Sequence, residues 1–168
     1  PFSVEMWVRP EWKKEDTRAY RMLIESRDAQ GPASDQLSGF GIWVNDDGNW
    51  EAPIGCPGFG NFLLVTGGKA VPNEVSHIVL THDGTDARLY VNGDLDSPVT
   101  TTGPMTPNTT VKLTIGVGLS RFEDRPTIPE PAFPFFPFTG TIQCVAIYDI
   151  ALDEATIKTH TKHGNGKP

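Results

Sequence analysis

Polar and apolar residues alternate along most of the chain with the period of a β-strand. In Phe2-Ser-Val-Glu-Met-Trp-Val-Arg9, the residues Phe2, Val4, Met6 and Val8 fall on one side. Ser3, Glu5, Trp7 and Arg9 fall on the other, as expected of a strand with one face on a core. Pro10 closes it, because proline has no N–H to give a ladder. Trp7 shares the outer side of that strand with Glu5 and Arg9. Further strands are predicted over Tyr20–Ser26, Gly39–Asn45, a return beginning at Trp50, Phe62–Thr66, Ser76–His82, Ala87–Asn92, Val111–Val117 and Thr139–Ile150. The stretch between Trp50 and Phe62, "PIGCPGFGN", reads as irregular.

The connections are short and carry turn chemistry. Asp47-Gly48, "DGTD" at Asp83–Asp86 and Asn92-Gly93 each combine a residue that bonds its own backbone with one that takes positive φ at little cost, and Gly67-Gly68 reads as another turn. Only the end is helical in pattern. Asp153 is placed as N-cap and Glu154 stands in the first turn. Lys162 and His163 stand in the last, and Gly164 follows as a stop, an arrangement that complements the helix dipole at both ends. Many short strands with glycine-marked turns predict an all-β fold: two packed antiparallel sheets, a jelly-roll sandwich, with one short C-terminal helix.

Composition narrows this picture. The 168 residues fit a single module spanning 1–168, and 17 Gly with 15 Pro suit a turn-rich chain. The net charge of −7 and the absence of a basic stripe argue against nucleic acid. No apolar run is long enough for a membrane span. The chain opens on a strand at Pro1 without a Met, and reads as a piece of a larger multidomain protein. Cys56 and Cys144 lack any zinc-type spacing. A disulfide and two separate structural thiols both fit, and the second reading is preferred.

In order along the chain, "FSVEMWVRPE", "SHIVLTHDGTDARLYVNG", "LTIGVG" and "FTGTIQCVAIYDIALDEATI" resemble the strands and closing helix of laminin-G-like modules of the concanavalin A-like superfamily. The resemblance implies a jelly roll, an extracellular or periplasmic setting, and roles that range from lectins and adhesion modules to glycosidases and lyases. Two departures bear on calcium. Val75 stands where relatives often have Trp, and Ile142-Gln143-Cys144 stands where they often have Ile-Asp-Glu. Acidic groups at such positions can help hold a structural calcium in relatives, and their loss weakens that expectation here.

Candidate chemistry is sparse. His77 and His82 differ by five positions on one strand, so they face opposite sides and cannot grip one metal or substrate together. Asp83, Asp86 and Asp96 stand in or beside turns, which account for them. The Glu-x-Asp-x-x-Glu strand of laminarinase-like relatives and the Gln-x-His strand of alginate-lyase types are absent, and the nearest cluster to such a run, Glu123-Asp124, is adjacent and falls in a loop. The expectation is therefore a non-catalytic module that binds a glycan or protein, or positions a neighbouring domain of the same protein. A glycoside hydrolase or lyase of this fold and a structural spacer are the alternatives.

Two places stand out as binding candidates. Trp43 and Trp50 flank Asn45, Asp46, Asp47 and Asn49, an aromatic-plus-polar set of the kind that stacks on a pyranose ring and fixes its hydroxyls. The competing reading puts one tryptophan in the core and leaves the acids to cap the turn. The same turn has carboxylates to offer a structural calcium, without the spaced ligands of an EF-hand loop. The Pro/Phe-rich stretch carries Phe133, Phe135 and Phe136 as an interface candidate. Phe138, which leads into the last strand, is expected to be buried.

Overall fold

The computed structural model describes residues 1–12, 20–28, 38–57, 62–109, 111–118 and 136–164. The elements in chain order are β1 (Phe2–Pro10), β2 (Arg21–Asp28), β3 (Ser38–Val44), β4 (Asn49–Ile54), β5 (Leu63–Lys69), β6 (Ser76–His82), β7 (Asp86–Val91), β8 (Asp94–Leu95), β9 (Thr100–Thr101), β10 (Thr114–Ile115), β11 (Gly140–Tyr148) and α1 (Glu154–Gly164). They form two antiparallel sheets. One has six strands in the order β11-β1-β6-β7-β8, with β9 also paired to β7. The other has five, in the order β10-β2-β3-β4-β5. The inward side chains of both sheets, among them Val4, Met6, Val8, Leu23, Ile24, Ile42, Val44, Trp50, Ala52, Ile78, Leu80 and Leu89, form one continuous core. This is the expected two-sheet sandwich.

Most strands lie where the alternation puts them, and three departures have physical causes. Gly67 and Gly68, read as a turn, lie inside β5. The carboxylate of Asp96 comes against the strand there: Gly68 N–H donates to Asp96 Oδ2 at 2.5 Å. A Cβ on Gly67 would stand 2.6 Å from the same oxygen, so the glycines make room for a side chain from the other sheet's loop. The stretch read as irregular begins as strand, since β4 runs to Ile54. Between Val111 and Val117 only Thr114–Ile115 pairs, with β2; Gly116, at φ 75, leaves the extended region and its N–H turns to Leu23 O at 2.8 Å.

The helix is capped as expected. Asp153 Oδ1 accepts from Thr156 N–H at 2.7 Å, and Ile157 is its most buried side chain. Helix α1 lies on the outward face of the six-stranded sheet, where Ile157 and Leu152 pack with Val79, Tyr90 and Tyr148. Cys56 and Cys144 are separate free thiols, the first buried and the second exposed. No described helix is long and apolar enough to cross a membrane.

Candidate functional site

The β3–β4 hairpin brings the predicted turn residues together, but around a carboxylate the sequence reading did not single out. Asn45 N–H donates to Asn49 O at 3.0 Å, and Gly48 takes φ 80 at the tip. This register sets Trp43 beside Glu51 on the face opposite Ile42 and Val44. Trp43 Nε1 donates to Glu51 Oε2 at 2.6 Å. Asn45 Nδ2 and Thr66 Oγ1 both donate to Glu51 Oε1 at 3.2 Å. Glu51 is thus filled with donors from β3, β5 and the turn, which suits a carboxylate that is itself buried. Alternation could have flagged it, since Glu51 is the acidic residue beside a tryptophan on a return strand.

The two tryptophans part company. Trp50 is fully buried in the core, so it has no face to offer a ligand; the expectation that both indoles flank an open site is corrected here. The cause is the two-residue period: Trp50 pairs with Val44 and so points inward with it. Trp43 points outward, though it too is largely covered. The Arg27 guanidinium stands 4.4 Å from its ring centroid and 5.0 Å from that of Phe62. Arg27 Nε donates to Glu25 Oε1 at 2.6 Å. Burial pulls the guanidinium's pKa down, and the charge of Glu25 beside it pulls the other way. Tyr20 meets the Trp43 ring edge-on at 5.2 Å and Phe136 at 5.4 Å. Tyr20, Phe62, Thr66 and Phe136 are each partly exposed.

At the hairpin tip Asp46 and Asp47 are exposed. Asp46 Oδ1 accepts from Asp47 N–H at 3.1 Å, and Lys69 Nζ donates to Asp47 O at 2.5 Å. Asn49 is half-buried, its N–H given to Asn45 Oδ1 at 2.9 Å. Of the interface candidates, Phe133 and Phe135 lie outside the described residues. Phe136 is tied to β2, its carbonyl accepting from Met22 N–H at 2.9 Å. Phe138 is partly buried and packs against the core.

The outward face of the six-stranded sheet holds a second cluster that sequence reading missed. Glu5, on β1, is buried beneath α1. Its carboxylate accepts from His77 Nε2 at 2.8 Å and from Tyr148 Oη at 2.6 Å, and it faces His160 Nδ1 at 3.0 and 3.1 Å. Burial alone would push its pKa up. The bonds from His77 and Tyr148 and the charges of His160 and His77 outweigh that and bring it down to about 2. The same bond, with burial, pushes the Tyr148 phenol up to about 12. Trp7 stacks on His77, centroids 3.9 Å apart, and α1 ends against it: a Cβ on Gly164 would lie 2.1 Å from the indole. His82 faces the other way. It stacks on Phe2, its Nε2 lies 2.7 Å from Thr102 Oγ1, and burial lowers its pKa. Asp83 caps its own turn, accepting from Thr85 and Asp86 N–H at 3.0 and 2.8 Å, and pairs with Arg88 at 2.7 Å.

Among the described residues, no three of His, Cys, Asp and Glu are grouped to hold a metal ion.

The sequence profile of a laminin-G family of the concanavalin A-like lectin/glucanases superfamily matches residues 1–158. The chain belongs to this laminin-G family. No curated protein sequence matches it. Among solved structures, this laminin-G-like chain resembles the CBM40 module of a Ruminococcus gnavus sialidase, with a TM-score of 0.66 at 13% identity over 95% of this chain and 82% of that one. It also resembles the binding domain of botulinum neurotoxin serotype G (TM-score 0.66, 14% identity, 98% of this chain and 36% of that one). The binding domain of Paraclostridial mosquitocidal protein 1 is alike too (0.66, 18%, 98% and 37%). The chain spans about a third of the toxin binding domains it matches. At these identities the likeness is one of fold.

Proposed function

We propose that this laminin-G-like chain is a non-catalytic binding module, working outside the cytoplasm, whose ligand is a glycan or a glycan-bearing protein. The observation that carries this reading is the make-up of the outward face of the five-stranded sheet. Tyr20, Trp43, Phe62 and Phe136 gather there with Arg27, Glu25, Glu51 and Thr66, and the only described helix lies on the opposite side of the sandwich. Rings edged by polar groups are what a pyranose needs: a flat apolar side to stack on and donors or acceptors for its hydroxyls. The exposed Asp46 and Asp47 stand at the hairpin tip that borders this face. The sialidase module and the toxin binding domains, whose folds this chain shares, are named for binding, which adds support.

The buried carboxylates support a binding role over hydrolysis. A glycosidase needs one carboxyl that still holds a proton at working pH. Glu5, at about 2, is an anion throughout that range. Glu51 is occupied by an indole, an amide and a hydroxyl, and Glu25 by Arg27. A glycan array followed by calorimetric titration tests the reading. Binding is expected, with Tyr20→Ala and Phe62→Ala each weakening it about tenfold or more while the melting temperature moves little. Release of reducing sugar above a heat-killed control would overturn the non-catalytic part. Binding that ignores both substitutions would move the site elsewhere.

A further inference from the structure

The cluster under α1 takes no part in the proposed binding face, and its geometry has a consequence of its own. We propose that Glu5, His77 and His160 form a proton-sensitive latch that holds the C-terminal helix more firmly at mildly acidic pH than at alkaline pH. One buried carboxylate is shared by two imidazoles from different elements. His77 comes from the sheet and His160 from the helix. Histidine exchanges its proton between about pH 5 and 8, and a hydrogen bond from a charged donor to a carboxylate is roughly twice as strong as a neutral one. Each proton taken up therefore adds attraction across the sheet–helix interface, to a carboxylate that is itself buried.

The surroundings let the sheet-side ring change charge without moving the backbone. His77 Nδ1 lies 2.6 Å from Thr161 Oγ1, and that hydroxyl lies 2.9 Å from Ile157 O. When His77 carries both protons, Nδ1–H donates to Thr161, whose hydroxyl donates on to Ile157 O. When the ring is neutral and Nε2–H faces Glu5, the hydroxyl turns and donates to Nδ1. Gly93, at φ 91, leaves the space for this rotor, since a Cβ there would stand 3.1 Å from Thr161 Oγ1. The proton thus changes how tightly the helix is held, not where it sits.

Among the described residues, the other ionisable groups packed around the helix are few. Tyr148, on β11, donates to Glu5. Tyr90, on β7, lies among the charges of Arg88, Asp153, Glu154 and Lys158. Lys158 pairs with Glu154 at 2.5 Å and reaches Asp94 of β8 at 3.7 Å. His163 bonds Thr159 O at 2.8 Å in the last helical turn. Of these, His163 is the other imidazole of the helix, and its ring bonds the helix's own backbone rather than Glu5. It serves as the control.

Hydrogen exchange of the backbone amides of 157–163 tests the latch, corrected for intrinsic pH dependence and referenced to β6. In the unmodified protein, protection is expected to be about tenfold greater at pH 5.5 than at pH 8.5. His160→Gln keeps an N–H donor but no charge, and its site is partly exposed, so the fold tolerates it. The ratio should fall to about threefold or less. His163→Gln should leave the ratio unchanged. A ratio near one in the unmodified protein overturns the proposal. So does a ratio that survives His160→Gln, or one that His163→Gln abolishes.

Discussion

The two outward faces of the sandwich are built from the same residue types and finished differently. On the six-stranded sheet, Glu5 stands with Trp7, His77 and Tyr148, and α1 closes over them. On the five-stranded sheet, Glu51 stands beside Trp43, with Arg27 and Tyr20 against the indole, Phe62 on the guanidinium, and several of these groups still reaching solvent. A carboxylate among aromatic rings is thus not a signature of a site by itself. Under a helix it is a fixing point, because the groups that meet the carboxylate come from the sheet and from the helix and hold the two together. On a face free of the helix, the same set can give part of its surface to a ligand. What lies above the cluster decides between the two, and that is a property of the fold.

The comparison can be broken or sharpened in several ways. The largest effect is expected at a residue that belongs to neither face. Trp50→Ala removes a fully buried indole from the core and should cost ~3–5 kcal/mol in chemical denaturation. Tyr20→Ala, on the five-stranded face, should cost far less. Near-equal stability for Trp50→Ala would show that the indole is not core and return it to the binding candidates.

Acid should act on the six-stranded face. The Glu5 pKa is lowered on folding from 4.5 to about 2. Its contribution is therefore fully present above pH 4.5 and is lost as pH falls towards 2. The loss should be about 3 kcal/mol in denaturant titrations between pH 5 and pH 2. Glu5→Gln should be less stable at pH 5 and lack that part of the acid dependence. A smaller effect is expected at the cap of the helix that closes this face. Asp153→Ala removes the acceptor for Thr156 N–H and should lower stability less than loss of the Glu5 carboxylate does, with exchange in the first turn of α1 faster and β2–β4 unaffected.

Much of the fold was legible in the chain because alternation, turn glycines and helix caps are local signals. Phe2–Arg9 and Ser76–His82 read correctly, as did the Asp153 cap, since each is decided within a few residues. Gly67-Gly68 misled because its reason lies 28 positions away, in the Asp96 carboxylate. The binding candidates were half legible for the same cause. Alternation could place Trp50 inward, but only the register with Val44 makes that choice visible. Glu51 as the hub of the Trp43 cluster, and Glu5 as the hub beneath α1, depend on partners from β5, β6, β11 and the helix. Spacing along one chain carries no trace of those meetings.

The most direct test of the account is to map a bound ligand onto the two faces by amide chemical shifts, using an oligosaccharide chosen from the array. The account predicts that the largest shifts fall on β2, β3 and β4 around Trp43, Arg27 and Glu51, with α1 and Glu5 unchanged. Shifts concentrated on β1, β6 and α1 instead would place the ligand on the helix-covered face and contradict it.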